Sequence, residues 1–329
     1  MNAPSATEIK ATVLRIASMP SGSDIAGFTA TFGFDAVAAV LTANDCDTIV
    51  SDLVSSTDAL GPKPASEWMD SARTWRRLFH DIDGFDAGKK DVSVMSDLDA
   101  RLVSFDSEEW PMRLNDLGLD APVALWVIGK RHLADALQES VTVTGARAHT
   151  AYGDHIAADL GFDLVRVGST VVGTGSFGIS GAAHRGALAY TRDPDHPATT
   201  VAVFASGLDR PFPAAHRDLF DQITTHGGLL VSEFAPGLTS MRARYLRRSQ
   251  VVAALTEATV VVEAAWRSGA LTCAHHAQKL GRITAAMPGP ISSAASSGAH
   301  ALIRDTEASL VTSASDVLSL LRRTADKAV

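Results

Sequence analysis

The 329-residue chain contains almost no cysteine. Its two cysteines, Cys46 and Cys273, are too few for a disulfide framework or a cysteine-ligated zinc site, and we expect both to be buried, reduced thiols. Long apolar runs are also missing, since no stretch approaches the roughly 18 uninterrupted apolar residues of a membrane helix. The amino terminus, MNAPSATEIK, lacks the charged-then-apolar pattern of a secretory signal. These absences predict a cytoplasmic protein with no membrane partner.

The chain also has no excess of positive charge. It carries 29 lysines and arginines against 37 acidic residues, which gives a formal net charge of -8. A protein coated with positive charge is therefore excluded. Nucleic-acid binding is not, because a local basic patch on an acidic molecule is enough to bind phosphates. With 46% hydrophobic residues, the chain has enough apolar side chains for a sizeable core.

Residues 1–98 show no alternation of strands and helices. Their apolar residues recur at helical spacings, which predicts a small all-helical domain over this range. One predicted helix, residues 66–80, carries Trp68 and Trp75, and we expect both side chains to pack in a core. The two glycines and the lysine pair of residues 81–91 suggest a linker.

From residue 99 onward, short β-branched runs alternate with helical stretches. Repeated strand–helix units require crossover connections, which favour a parallel sheet with helices on both faces. We therefore expect residues 99–329 to form a doubly wound, mainly parallel α/β sheet. The candidate strands are residues 123–128, 141–144, 169–172, 200–205, 228–232, 259–263, 282–287 and 309–312.

Glycine-rich turns follow two of these strands, within residues 140–185. The first is Gly145-Ala146-Arg147, after which Thr150 is placed to cap the next helix, and the second is residues 173–178. Such turns at the carboxyl ends of neighbouring parallel strands present free N–H groups and helix N-termini, which favour phosphate binding. The second turn lacks the lysine of a P-loop, and no acidic residue follows the first turn as in nicotinamide-binding folds. ATP hydrolysis and hydride transfer are therefore disfavoured.

Residues 240–250, SMRARYLRRSQ, gather four arginines around Tyr245. Arginines pair with phosphates while bases stack on aromatic rings, so this loop suits single-stranded nucleic acid. A fourth loop, residues 264–272, presents small residues to the same edge. Glu233 and Glu263 stand at strand ends, and we expect them to orient arginines or N–H groups. The adjacent His275 and His276 point in different directions, which argues against a metal site.

These loops occur in a familiar order: GARAHTAYG, GTGSFGISGAAHRGAL, AVFASGLDRPFP, GGLLVSEFAPG, RRSQVVAALT, VVVEAAWRSGALTCAHHAQKLGR and MPGPISSAASSGAHALI. The series resembles the DNA-processing protein A family, DprA or Smf, over residues 101–320. The preceding helical part is similar to that family's N-terminal domain, which is SAM-like or helix-hairpin-helix-like. The resemblance implies an extended Rossmann-like fold. It also implies a homodimer that binds and protects single-stranded DNA and loads the recombinase RecA on it during natural transformation, without enzymatic activity, cofactor or metal.

The resemblance also implies which residues contact DNA. The first glycine turn corresponds to the family's phosphate-binding turn, residues 242–248 to its basic and aromatic loop, and residues 268–272 to its last DNA-facing loop. The expected contacts are Gly145, Arg147, Thr174, Phe177, Gly178, Arg242, Tyr245, Arg247, Arg248, Ser268, Gly269 and Thr272.

The chain departs from the family pattern at two motifs. Phe177 replaces a commonly basic residue, which removes a charge but supplies a ring that can stack on a base. Where the family has arginine-asparagine-arginine, this chain has Arg248-Ser249-Gln250. The expected consequence is weaker DNA binding than is usual for the family. The winged-helix domain that some members carry at the C-terminus has no counterpart here.

A rival hypothesis comes from the same glycine turns. Nucleotide-handling proteins share this Rossmann-like fold, so the chain is alternatively an enzyme or sensor for a small nucleotide. Glu233 and Glu263 are then its candidate acid and base. The loop MPGPISSAASSG does not match the glutamate-bearing loop of phosphoribohydrolases, and we rank single-stranded DNA binding first.

Overall fold

A computed structural model describes residues 3–22, 24–61, 63–190 and 199–325. The amino-terminal part consists of helices, as predicted. They are α1 (Ala6–Ala17), α2 (Ile25–Thr42), α3 (Cys46–Ser55), α4 (Ala65–Asp81) and α5 (Phe85–Ser96).

The prediction of a linker over residues 81–91 was wrong, because helix α5 begins at Phe85. Gly88 lies where α5 crosses α1, and a Cβ at this position would stand 2.2 Å from the carbonyl oxygen of Glu8. The glycine therefore permits close helix packing and does not mark a break.

Helix α2 is long and apolar enough to cross a membrane by length and composition alone, with a mean hydropathy of 1.5 over 18 residues. Core helices meet the same criterion. Half of α2 is buried, and Phe28, Phe34 and Val37 pack into the largest hydrophobic cluster. A positive φ of 85° at Gly33 kinks the helix. In this fold α2 is a core helix.

One nine-stranded sheet forms the rest of the framework, in the order β1-β2-β6-β5-β4-β3-β7-β8-β9. β1 and β2 pair antiparallel with each other, β2 pairs antiparallel with β6, and the remaining pairings are parallel. The predicted α/β fold with a mainly parallel sheet is confirmed. The strands are β1 (Ala100–Ser104), β2 (Ala124–Ile128), β3 (Ser140–Thr144), β4 (Thr170–Thr174), β5 (Thr200–Val203), β6 (Leu229–Ser232), β7 (Ala258–Val261), β8 (Ile283–Ala286) and β9 (Ser309–Leu310).

The order of the strands reverses between β3 and β7. From β3 the chain adds β4, β5 and β6 on one side, and β7, β8 and β9 then extend the sheet on the other. Loops diverge at such a reversal and leave a crevice at the carboxyl ends of the strands. The helices of this part are α6 (Leu133–Ala136), α7 (Ala151–Arg166), α8 (Ile179–Tyr190), α9 (Arg217–Thr225), α10 (Arg242–Leu255), α11 (Ala270–Lys279), α12 (Ser297–Asp305) and α13 (Ala314–Ala325), of which α13 follows the last strand.

The amino-terminal helices and the sheet share one hydrophobic cluster. Trp75 and Phe28 from the helices belong to it together with Trp126 of β2 and Phe204, which follows β5. The elements change from helices to strands close to residue 98, whereas the core is continuous across that point. The division into domains at residues 98 and 99 stays a prediction.

Candidate nucleic-acid interface

The turn after β3 is fastened to the end of β7. The backbone N–H of Val262 donates to the carbonyl of Thr144 at 3.1 Å, and that of Ala146 donates to the carbonyl of Glu263 at 2.6 Å. Gly145 lies between these contacts, where a Cβ would stand 2.5 Å from Ile179 Cγ1. Only glycine fits this position. The turn therefore holds a fixed place at the point where the strand order reverses.

Glu263 is a structural carboxylate. It is buried, and it accepts hydrogen bonds from the backbone N–H and the hydroxyl of Thr150, each at 2.9 Å. The Thr150 hydroxyl in turn accepts from the N–H of Gly153 and caps α7, as predicted. The expectation that Glu263 orients N–H groups is confirmed.

A cleft of about 620 Å³ opens beside this turn. Its walls come from the turns after β3 and β4, one face of α10, and the segment that joins β7 to α11. Seven of the twelve predicted contacts line it: Gly145, Arg147, Thr174, Tyr245, Arg248, Ser268 and Gly269. The structure thus brings together residues that are up to 124 positions apart in the chain.

Two arginines share the ring of Tyr245 within the cleft. The guanidinium carbon of Arg147 lies 4.5 Å from the ring centroid and that of Arg248 lies 5.2 Å from it. The tyrosine hydroxyl donates to Ser240 Oγ at 3.0 Å, which fixes the ring. The stack concentrates positive charge on one wall of an otherwise acidic protein.

Arg248 is buried without a carboxylate partner. Its side chain is at the cleft wall with a relative exposure of 7%, and its Nε has no hydrogen-bond acceptor among the described residues. Burial and, to a smaller extent, the neighbouring charge of Arg147 lower the pKa of Arg248 to about 10. The guanidinium remains charged at neutral pH. A buried cation without an acceptor is strongly stabilised when an anion binds beside it.

The arginine-rich segment is a helix and not the predicted loop, because α10 begins at Arg242. The helix directs its side chains to two sides. Tyr245, Arg248 and Ser249 line the cleft, whereas Arg244, Arg247 and Gln250 line a second cavity of about 300 Å³ against the amino-terminal helices. This second cavity is named the rear cavity below.

Arg247, a predicted DNA contact, lies in the rear cavity. Its Nε donates to both carboxylate oxygens of Glu233, at 2.9 and 3.0 Å, and its Nη1 donates to Gln250 at 3.1 Å. Glu233 is buried, and burial raises the pKa of its carboxyl while Arg247 lowers it. The expectation that Glu233 orients an arginine is confirmed. Gln250 also faces Arg247. The positive charge that the family motif has at position 250 would therefore lie in the rear cavity and not in the cleft.

The remaining predicted contacts lie around the rim. Gly178 packs against the backbone of Ala146 and Arg147, and Phe177 beside it is 45% exposed. Arg242 is exposed at the first position of α10, and Thr272 is half-buried in the first turn of α11.

Arg267 also lines the cleft and was not among the predicted contacts. It had a usable signal, since it follows β7 in the loop already assigned to this edge of the sheet. Ser176 and Ser180, which belong to the glycine turn that departs from the family pattern, line the cleft as well. Ser180 lies within the first turn of α8, where its hydroxyl donates to the carbonyl of Val143 at 3.3 Å.

His184 is a buried structural histidine. Its Nδ1 is 2.6 Å from Thr200 Oγ1, and its Nε2 is 3.2 Å from the carbonyl oxygen of Thr174. Burial lowers its pKa to about 4, so the ring is neutral at physiological pH.

Both cysteines are buried and free, and burial raises the pKa of Cys273 to about 12. Neither the His184 imidazole nor the Cys273 thiol has the properties of a nucleophile or metal ligand. In the described part of the chain, no group of three or more His, Cys, Asp or Glu is placed to hold a metal ion.

Comparison with known sequences matches the chain to one family model and to several curated proteins. A family model described as DNA recombination-mediator protein A matches residues 101–322. A putative DNA processing protein DprA of Mycobacterium tuberculosis is 41% identical over 247 residues, which are 72% of this chain and 61% of the relative. Protein Smf of Escherichia coli is 35% identical over 221 residues, which cover 67% of this chain and 56% of that protein. The chain therefore spans about three fifths of the length of these relatives.

Solved structures agree with the sequence relatives. The X-ray structure of DNA processing protein A from Streptococcus pneumoniae superposes with a TM-score of 0.69 at 25% identity, covering 95% of this chain and 97% of that one. A structure describing the single-stranded DNA binding mode of the Helicobacter pylori protein superposes with a TM-score of 0.58 at 22% identity, covering 68% and 97%. The second likeness concerns the fold alone. By its sequence match, its strand order and the turns that build its cleft, this chain belongs to the DNA recombination-mediator protein A family, DprA or Smf.

Proposed function

We propose that this protein binds single-stranded DNA in the cleft. The observation that carries the proposal is the arginine pair on Tyr245, in which Arg248 is buried, with no acceptor for its Nε in the part of the chain that the structure describes, and Arg147 is exposed beside it. A phosphate placed against this pair would supply the missing acceptor. It would also relieve the repulsion between the two guanidinium groups.

The glycine turn and the start of α11 complete the anion site. Gly145 allows the backbone after β3 to run against the sheet, and Ser268 and Gly269 bring the N-terminus of α11 to the same cleft. Helix N-termini attract phosphates through their N–H groups and dipole. Together these groups support binding of a phosphate backbone without recognition of its sequence.

Single strands are the preferred substrate class under this proposal. The cleft combines arginines with the tyrosine ring, and a base reaches such a ring only when it is not paired. The Helicobacter pylori relative, which binds single-stranded DNA, has the same fold. We expect duplex DNA to bind more weakly.

We propose that the protein is not an enzyme. The two glutamates that a nucleotide hydrolase would use are both engaged elsewhere, Glu263 by Thr150 and Glu233 by Arg247 in the rear cavity. Incubation with nucleoside monophosphates is expected to release no base, and release that is abolished by Glu263→Gln would support the rival function instead.

The family supports a role beyond binding. Its description as a recombination mediator leads us to propose that the protein protects incoming single-stranded DNA and loads RecA on it, in the cytoplasm and as a homodimer. No cofactor is required for this role. Addition of the protein is expected to speed RecA filament growth on oligonucleotides coated with single-strand-binding protein.

The primary test is a salt titration of oligo-dT binding. Each phosphate contact on a single strand contributes a slope of about -0.7 in log K against log salt. We expect Arg147→Ala to weaken binding and to flatten the slope by about this amount. The matched control is Arg166→Ala, because Arg166 is similarly exposed but lies at the far end of α7, at the opposite edge of the sheet.

Two outcomes contradict the proposal. The first is an absence of wild-type binding at low salt. The second is equal binding and an equal slope for wild type and Arg147→Ala, which would place the phosphates elsewhere.

A further inference from the structure

Phe177 is an exposed aromatic residue just outside the cleft. It follows β4, and 45% of its surface is exposed. An aromatic ring of this size contributes little to stability when almost half of it faces water. Its position at the carboxyl edge of the sheet, where the cleft opens, gives the exposed surface another use.

The ring of Phe177 is held by His216. The two ring centroids are 4.7 Å apart at an interplanar angle of 72°, an edge-to-face arrangement. His216 is itself fixed, because its Nδ1 lies 3.0 Å from the carbonyl oxygen of Gly175. Its ring also packs edge-to-face on Phe220, with the two ring centroids 6.0 Å apart. The exposed phenyl surface is therefore preorganised, which lowers the entropic cost of binding to it.

Phe177 is continuous with the cleft. Its preceding residue, Ser176, lines the cleft, and its following residue, Gly178, packs on the backbone of Arg147. The N–H of Ile179 donates to the carbonyl of Ala146 at 3.1 Å, which ties the two turns together. A strand that passes Arg147 and leaves the cleft on this side meets Phe177 next.

The surface beyond Phe177 is mixed in charge. Arg217 is exposed at the start of α9, and Arg185 is half-exposed with its Nη2 3.2 Å from Asp154. A further hollow next to His216 is lined by Arg210, Arg217 and the exposed Phe212, together with Asp209. Aromatic and arginine side chains thus continue along the carboxyl ends of β4 and β5.

We propose that Phe177, fixed by His216, is a stacking position for a nucleobase of the strand as it leaves the cleft. The inference rests on the proposed function and adds to it a specificity-determining residue of this chain. At this point the surface binds a base through an aromatic face and not a phosphate through a charge. Because stacking grows with the area of the rings, purines are favoured over pyrimidines here.

The test compares oligo-dA and oligo-dT of about 20 nucleotides, long enough to fill the cleft and pass the rim. Removing one stacked base costs between about fivefold and about a hundredfold in affinity. We expect Phe177→Ala to lose affinity in this range for oligo-dA, and to lose less for oligo-dT. The slope of log K against log salt should stay at the wild-type value, because no charge is removed.

Two further variants sharpen the result. Phe177→Trp is expected to restore or exceed wild-type binding of oligo-dA, since it keeps a stacking ring. Val167→Ala truncates another exposed apolar side chain at the opposite edge of the sheet, and it should bind as wild type does. Circular dichroism of each variant verifies that the fold is retained.

The outcomes separate the two proposals. If wild type binds and Arg147→Ala weakens binding, but Phe177→Ala binds both oligonucleotides as wild type does, the stacking position is wrong and the cleft stands. An equal loss for oligo-dA and oligo-dT, or a changed salt slope, also overturns the base preference. If wild type binds neither oligonucleotide, both proposals fall together.

Discussion

Burial decides what each arginine near the cleft does. Arg147 and Arg248 share one tyrosine ring, yet the first is exposed and the second is almost fully buried. The guanidinium of Arg248 is already desolvated and immobilised in the folded protein. An anion that binds to it therefore forms a strong contact at little further entropic cost. The exposed group stays hydrated on its open side and gives a weaker, salt-sensitive contact.

Buried His184 predicts a pH dependence of stability. Its pKa in the folded protein is about 4, whereas an exposed imidazole has a pKa of about 6.5. Between these values the unfolded chain binds a proton that the folded chain does not. Stability therefore falls as the pH is lowered from about 6.5 towards 4, by at most about 3 kcal/mol from this group.

The measurement is urea unfolding at several pH values between these limits. His184→Asn is expected to be less stable than wild type at neutral pH, because it loses the contact with the Thr174 carbonyl, and to show a flatter decline below pH 6.5. His226→Asn, at a half-buried histidine after α9, is the control and should decline as wild type does. A decline that His184→Asn leaves unchanged would assign the acid sensitivity to other groups.

At the scale of the element, α10 determines which arginines reach the cleft. Its two sides differ, with Ser249 facing the cleft and Gln250 facing the rear cavity. The family motif at these positions therefore contributes to two different environments. Restoring its two residues one at a time separates them.

We expect Ser249→Asn to strengthen oligo-dT binding modestly, by the roughly 0.5–1.5 kcal/mol of one hydrogen bond. Gln250→Arg should leave both the affinity and the salt slope unchanged, because its charge enters the rear cavity beside Glu233. Fluorescence anisotropy over a salt series measures both quantities. A slope steeper by about 0.7 in Gln250→Arg would mean that this position faces the DNA.

The elements were predicted better than the directions of their side chains. The strands after residue 120 and the glycine turns were readable, because β-branched runs and glycines have strong local preferences. The arginine segment was not, since its arginines and lone tyrosine show no apolar periodicity, and the buried stretch of α10 starts only at Val251. Because this helix was not predicted, the sequence did not show that Arg248 faces the cleft while Arg247 faces Glu233. The helix α5 was missed for a related reason, because a packing glycine resembles a flexible one.

At the scale of the whole molecule, the amino-terminal helices are tied to the sheet. Arg15 of α1 pairs with buried Asp91 of α5, with Nε 2.6 Å from the carboxylate, and its Nη2 donates to the carbonyl of Pro236 at 2.9 Å. Pro236 lies in the segment that leads from β6 to α10. Together with the shared hydrophobic cluster, this contact predicts that the helices and the sheet unfold as one unit.

The substitution Arg15→Ala tests whether the amino-terminal helices and the sheet unfold together. It leaves the Asp91 carboxylate buried without its partner, and we expect a loss of about 3 kcal/mol in the free energy of unfolding. Tryptophan fluorescence and far-UV circular dichroism should follow one coincident transition, shifted to lower urea. Arg73→Ala, whose ion pairs with Asp47 and Asp70 are exposed, is the control and should unfold close to the wild-type midpoint, because solvent screens exposed ion pairs.

An early separate transition of the helices in Arg15→Ala, with the sheet unaffected, would contradict this expectation. It would show that the amino-terminal part folds on a core of its own.

The pairing of β3 with β7 has a consequence for how the protein is made. Val141 lies beside Ala258 in the sheet, although the chain between them includes three other strands. During synthesis the cleft cannot exist until β7 and the start of α11 have left the ribosome, and until then the β3 edge and the glycine turn stand open. A nascent chain therefore forms the complete cleft only after β7 and the start of α11 have been made. A truncated product that stops before β7 lacks one wall of the cleft, so under the proposed function we expect it to bind single strands more weakly than the finished protein.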